Sequence, residues 1–208
     1  MLKIKRPDKT LFKGLKLTLA FWIIILVVLF VFTLFFFKGY LNVFFSENYS
    51  ENFGTFFKFL TFFGEEWILI PICFIISVYF KDKIFALRAA LAFIINTLIT
   101  SISKYLVFDS VRPSLYLSKY NLIYTQGVEL HKYNSFPSGH TSSAFVVAFI
   151  LSFYFKNETK GLFFVSMAFL VALSRIYLQQ HFAEDIIAGS IIGFFSAVLA
   201  NSILIVKK

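Results

Sequence analysis

The sequence predicts an all-α integral membrane protein, with six transmembrane helices packed in one bundle, and three observations carry that prediction. Of the 208 residues, 59% are hydrophobic and only 15% charged, where soluble domains hold nearer a half and a quarter. The stretch Leu17 to Phe37, LTLAFWIIILVVLFVFTLFFF, runs without a charge over about the 20 residues that a helix needs to cross a bilayer core. The cations behind the formal net charge of +9 are sorted by position. Lys3, Lys5, Arg6, Lys9, Lys13 and Lys16 precede the first apolar run, and Lys207 and Lys208 follow the last, which marks both ends as cytoplasmic. The basic segment 1–16 therefore reads as a cytoplasmic N-terminus, and nucleic acid is excluded as a partner.

The first apolar run ends in bulky phenylalanines and Lys38 instead of small residues at a cleavage site, so it is expected to be a retained span, about 17–37. Later runs are shorter and interrupted, as expected where helices face one another. They fall at about 67–80, 84–107, 141–155, 161–178 and 185–206. The connectors 81–83 and 156–160 are short and carry lysines, so the positive-inside rule puts them on the cytoplasmic side with the termini. Loops of roughly 38–66, 108–140 and 179–184 are left for the other face. The first of these includes an interfacial stretch, Asn52 to Phe63. Trp22 and Trp67 read as membrane-interface anchors, and Cys73, a lone cysteine, can form no intrachain disulfide. No repeat or linker divides the chain, so 1–208 is expected to be one domain.

The ionisable residues at the outer ends of the spans form a short set. Lys104 closes the third span and Arg112 follows it; Ser138, Gly139 and His140 open the fourth; Arg175 ends the fifth; His181 and Asp185 open the sixth. Charge bordering a span is costly and usually faces the bundle interior for a reason. Lys104, Arg112 and Arg175 suit a polyanion, and phosphate matches the guanidinium fork. Pro137-Ser138-Gly139 stands just before a helix, where free N–H groups and the dipole favour an anion. His140 beside it is a proton donor or acceptor near neutral pH. His181 and Asp185, four residues apart, are expected on one helix face, the carboxylate fixing the imidazole tautomer so that the other ring nitrogen is an oriented nucleophile.

Any one of these residues alone reads as an interface or snorkelling side chain; their shared side, order and spacing reverse that. A metal site on His181, Glu184 and Asp185 is weighed and set aside, because a third strong ligand is missing and three cations stand close. Glu184 reads as a solvated neighbour, His131 as a loop residue, Ser174 as a packing residue beside Arg175, and Asn96, Thr97, Thr100 and Ser101 as interhelical hydrogen-bonding groups.

Taken together, Lys104 to Pro113, PSGH at 137–140 and SRIYLQQHFAED at 174–185 resemble the three-part signature of the type 2 phosphatidic acid phosphatase (PAP2) family, whose fold is shared with vanadium haloperoxidases. The second part matches, and so does the third, with its Ser-Arg, five residues, His, three residues, Asp. The first part departs: YLVFDSV puts seven residues between Lys104 and Arg112, where the family usually has six. On a continuous helix the extra residue turns Arg112 by about 100°. Asp109-Ser110 and Pro113 predict a helix exit in which a loop absorbs it.

The resemblance implies a lipid phosphatase with no metal and no cofactor. His181 would take the phosphoryl group, Asp185 would orient it, and His140 would protonate the leaving lipid oxygen and later activate water. Lys104, Arg112, Arg175, Ser138 and the Gly139 backbone would hold the phosphoryl oxygens. The implied substrates are membrane lipid phosphates, with undecaprenyl diphosphate first by analogy, then phosphatidylglycerol phosphate, phosphatidic acid and lipid A. The implied place is a bacterial cytoplasmic (inner) membrane, the site facing the periplasm or exterior. A lipid phosphotransferase and an anion transporter are the competing classes.

Overall fold

The computed structural model describes residues 11–203; the expectations for Lys3, Lys5, Arg6, Lys9, Lys207 and Lys208 lie outside them. Each of the six expected apolar segments coincides with a helix. These are α1 (Lys16–Phe35), α4 (Glu66–Tyr79), α5 (Lys83–Ile102), α7 (Gly139–Phe155), α8 (Glu158–Tyr177) and α9 (Ala183–Ile203). Among the described residues, four helical stretches are long and apolar enough to cross a membrane: Lys16–Phe35, Lys83–Val107, Glu158–Tyr177 and Ala183–Ile203. A fifth is counted if Glu51–Gly64 and Leu69–Tyr79, bent by 60° at their break, form one span. Helix α7 is apolar but shorter, at 17 residues.

The region 38–66 differs from expectation. It holds α2 (Tyr40–Glu47), α3 (Glu51–Thr61) and a 3-10 turn (Phe62–Gly64). Phe57 and Leu60 of α3 are buried, and Phe57 packs on Tyr177 of α8 with ring centroids 4.6 Å apart. The stretch expected to lie in the interface thus rests one face on the bundle and leaves Phe53, Phe56 and Phe59 exposed on the other. After α5 a helical turn (Ser103–Val107) continues the chain, and the loop 108–138 is broken only by α6 (Pro113–Tyr116) and by an isolated bridge between Val111 and Tyr133.

Helix α7 is the axis of the fold, with Phe145, Val146 and Phe149 fully buried. Its neighbours α8 and α9 flank it, and α1 closes one side. Trp22 is not an interface anchor: it is 6% exposed and stacks edge-on against Phe149 at 5.3 Å and tilted against Phe194 at 4.5 Å. Trp67, at 67% exposure, fits the anchor reading. The outer face of α1 presents Ile24, Val28, Leu34 and Phe35 to the surroundings, a stripe that water would penalise and lipid does not.

Caps fix the two ends of the bundle. Glu158, in the first turn of α8, accepts hydrogen bonds from Leu17 N and Thr18 N, so the starts of α1 and α8 share one end. Asn157 and Asp82 cap α8 and α5 through their side chains. Glu158 and Arg175 lie 17 residues apart on α8, about 26 Å along its axis. Arg175 and the other candidate residues therefore occupy the opposite end from the lysine-bearing connectors.

Candidate active site

The third signature segment builds the floor of the site. Helix α8 ends at Tyr177, and the next residues fold back on it. The carbonyl of Arg175 accepts from both Gln180 N at 2.9 Å and His181 N at 3.2 Å. Gln179 takes a left-handed backbone, φ 58°, which reverses the chain. His181 therefore precedes α9 instead of lying on it, correcting the expectation that both residues share a helix face. Asp185 is in the first turn of α9. Its Oδ2 accepts from the backbone N–H of Phe182 at 2.8 Å, as an acid at the third helical position does for its cap residue. The same oxygen is 3.3 Å from His181 Nδ1 and accepts from Ser135 Oγ at 2.6 Å.

That arrangement engages the Nδ1 edge of His181 and leaves the Nε2 edge without a hydrogen-bond partner among the described residues. Burial holds the His181 imidazole well below its ordinary range, and the charges of Arg112, Arg175, Lys104 and His140 push it the same way. It is neutral at neutral pH, with a lone pair to offer.

The three cations come from three directions. Arg112 is 8% exposed, and its guanidinium is held by carbonyls: Nε donates to Tyr133 O at 2.9 Å, Nη1 to Gln180 O at 3.2 Å, and Nη2 to Asn134 O at 3.4 Å. The Gln180 side-chain oxygen accepts a further bond from Nη1. Arg175 donates from Nη1 to Thr61 Oγ1 at 2.6 Å, while its buried Nε has no protein partner, a donor that a phosphoryl oxygen would satisfy. Lys104 Nζ would lie 3.8 Å from a Cβ placed on Gly139, so the absent side chain opens the space between the lysine and the start of α7.

Within the long interval from Lys104 to Arg112 the helix changes its winding. After Ile102 the chain continues as a π-helical turn, Ser103–Val107, in which Phe108 N bonds to Ser103 O at 2.9 Å. An i→i+5 bond holds one residue more per turn than the α-helical ladder, and such turns gather at functional sites. The expected helix exit follows directly, at Phe108.

Ser138 caps α7. Its Oγ accepts from Thr141 N at 3.4 Å and Thr141 Oγ1 at 2.9 Å, and the residue is fully buried. His140, one residue into α7 from Gly139, has its Nε2 2.7 Å from Glu65 Oε1. Among the described residues no group of three or more His, Cys, Asp and Glu converges as a metal cage.

The PAP2 superfamily model matches residues 85–206, which contain Lys104, Arg112, the PSGH segment, Arg175, His181 and Asp185. The chain belongs to the PAP2 superfamily. It is 30% identical over 118 residues to the bacitracin transport permease protein BcrC of Bacillus licheniformis, a match covering 57% of this chain and 55% of that protein. It is 25% identical over 147 residues to an undecaprenyl-diphosphatase of Sulfolobus acidocaldarius, covering 70% of this chain and 68% of that one. The matched stretch thus spans little more than half of the first relative. The crystal structure of Aquifex aeolicus LpxE aligns with a TM-score of 0.62 at 26% identity, over 77% of this chain and 92% of that one. A PAP2-type phosphatidylglycerolphosphate phosphatase of Bacillus subtilis aligns with a TM-score of 0.65 at 21% identity, over 91% and 94%, which shows a shared fold.

Several residues that shape this PAP2 site are not legible in the sequence. Asn42 of α2 donates to the carbonyls of Ile176 and His181, anchoring the histidine's backbone. Ser135 and Gln180 serve Asp185 and Arg112. Glu65, Thr61 and Asn42 lie outside the matched stretch. Lys38, 4.6 Å over the Phe182 ring, adds a further cation beside the Asp185 turn. Of the residues expected to bond between helices, Asn96 bonds to Ser143 Oγ and Thr97 to Glu66, but Thr100 bonds within its own helix, to Asn96 O. Ser174 bonds to Val171 O, consistent with packing.

Proposed function

We propose that this chain is an integral membrane lipid phosphatase that hydrolyses a phosphomonoester or diphosphate through a phosphohistidine. The observation that carries the reading is the buried, neutral His181 with Asp185 Oδ2 at its Nδ1 and the three cations Arg112, Arg175 and Lys104 acting on it. Nε2 attacks phosphorus, the lipid oxygen leaves with a proton from His140, and the cations hold the charge of the five-coordinate transition state. Water then displaces the histidine, giving its proton to His140. The reading needs no metal ion and no organic cofactor.

Six membrane crossings in one bundle complete the proposal: α3 and α4 count as one broken crossing, and α7, about 25 Å long, as a short one sheathed by its neighbours. With the basic connectors cytoplasmic, the site faces the periplasm or exterior of a bacterial inner membrane. Undecaprenyl diphosphate is the first substrate to try, supported by the relative from Sulfolobus acidocaldarius that bears that activity in its name. Phosphatidylglycerol phosphate, phosphatidic acid and lipid A follow.

The test is release of inorganic phosphate by the detergent-solubilised protein from each lipid, with and without EDTA. Release unaffected by EDTA is expected. No release from any lipid by folded protein overturns the reading. A phosphorylated acceptor lipid without free phosphate would instead make it a phosphotransferase.

A further inference from the structure

Glu65 and Glu66 form a tandem of acids in a chain with only 11, and neither belongs to the three signature segments. Their carboxylates have different partners. Glu66 accepts from Thr97 Oγ1 and Ser143 Oγ, each at 3.0 Å, and from Asn96 Nδ2 at 3.4 Å, which ties the start of α4 to α5 and α7. Gly64 lets that start approach α7: a Cβ there would lie 2.8 Å from His140 Cβ and 2.9 Å from Val171 Cγ1. With the backbone so placed, Glu65 Oε1 meets His140 Nε2 at 2.7 Å.

The geometry points to Glu65 as the positioning residue of His140, holding the imidazole by Nε2 so that Nδ1 is the nitrogen that exchanges protons with substrate. The inference rests on reading His140 as the acid and base of a phosphatase. The two histidines are then gripped at opposite ring nitrogens: Asp185 takes Nδ1 of His181 and frees Nε2 for attack, while Glu65 takes Nε2 of His140. A carboxylate on one imidazole nitrogen fixes the tautomer and the ring plane. It also has an electrostatic task. Arg175 and Lys104 both act on the His140 ring with like charge, and His181 lies close, so an imidazolium there needs an anion beside it.

The proton count closes. As the P–O bond to the lipid breaks and the P–Nε2 bond to His181 forms, the Nδ1 proton of His140 passes to the lipid oxygen. As water forms its P–O bond and the P–N bond breaks, one water proton returns to Nδ1. Glu65 keeps the Nε2 proton in place through both steps.

Leaving-group dependence tests this. Replacing Glu65 by Gln should lower kcat for an alkyl lipid phosphate by tenfold or more, out of the roughly 10²–10⁴ that a positioned acid contributes, with KM little changed. The loss should nearly vanish in the burst of p-nitrophenol release from p-nitrophenyl phosphate, the histidine-phosphorylation step, whose leaving group needs no proton. The Glu66→Gln variant, which loosens only the anchoring, should slow both substrates alike. A p-nitrophenol burst slowed in E65Q as much as lipid turnover, or no loss at all, overturns the proposal. A second readout does not depend on turnover: isotope-labelled histidine NMR, with the three histidines assigned by substitution. His140 should carry its neutral-form proton on Nε2 in the parent and lose that preference in E65Q. An unchanged tautomer overturns the inference even if the protein releases no phosphate, whereas phosphatase failure with the tautomer shift intact strikes only the functional reading.

Discussion

Ser138 donates its backbone N–H to the carbonyl oxygen of Asp185 at 3.1 Å. The start of α7, which carries Gly139 and His140, is thereby joined to the first turn of α9, which orients His181. The joint depends on two glycines one turn apart. A Cβ on Gly189 would lie 2.6 Å from Ser138 O, and one on Gly193 would fall on Ser142 O. Both helices approach backbone to backbone there, as small residues permit between membrane helices.

Replacing Gly193 or Gly189 by alanine should therefore push α9 off α7, at a cost of about 1–3 kcal/mol as for other overpacked sites. Thermal unfolding in detergent checks the stability loss. Phosphate release should fall further than the melting shift alone explains, because Ser138 and Asp185 separate.

The neutral state of His181 has a pH consequence. Its imidazole is held well below the ordinary value of 6.5, chiefly by burial and then by Arg112. Protonation, which removes the nucleophilic lone pair, then begins only well under pH 6.5, so the acid limb of kcat/KM should lie there. The sign for stability is the same: the unfolded chain takes up this proton near 6.5 and the folded chain does not, so stability contributed at neutral pH falls as pH drops below that value. A kcat/KM profile and denaturation at stepped pH measure the two effects. An acid limb of kcat/KM at or above pH 6.5, or a stability profile below that pH which H181Q leaves unchanged, would contradict them.

Arg112 has its guanidinium held by three backbone carbonyls. A lysine has one donor group on a flexible stem and cannot reproduce that fork. Arg112→Lys should thus behave nearly as badly as Arg112→Ala, each losing on the order of tenfold to a hundredfold in kcat/KM, the worth of a charged hydrogen bond. Recovery of most activity in R112K would show that charge alone suffices.

How much of this was legible in the sequence follows from the range of each contact. Helix positions are readable because apolar runs are local, and Lys104, Arg112, His140, Arg175, His181 and Asp185 stand out as candidates because motif spacings are local too. Ser135 at Asp185, Glu65 at His140 and Asn42 at the His181 carbonyl are contacts 50, 75 and 139 residues apart, between ordinary polar residues with no spacing to betray them. Glu65-Glu66 did leave a signal, paired acids opening an apolar run, where charge is expensive. Trp22 was misread because a tryptophan near a span end is anchor or core depending on partners, here Phe149 and Phe194, that composition does not reveal.

The π-turn at Ser103–Val107 yields a deletion test. Removing Val107 should restore an α-helical ladder and keep phosphate release within about tenfold, whereas inserting an alanine after Val107 should cost far more, because the helix has already taken up one residue. Equal damage from both changes would show that the turn does not compensate.

That turn also changes how the interval between the two cations is read. Lys104 reaches the space beside Gly139 from a turn wound more loosely than the α-helix before it, so its bearing around the helix axis depends on the winding as well as on the number of residues. A chain can drift in length between its phosphate-binding cations and stay in register by changing how tightly one turn is wound.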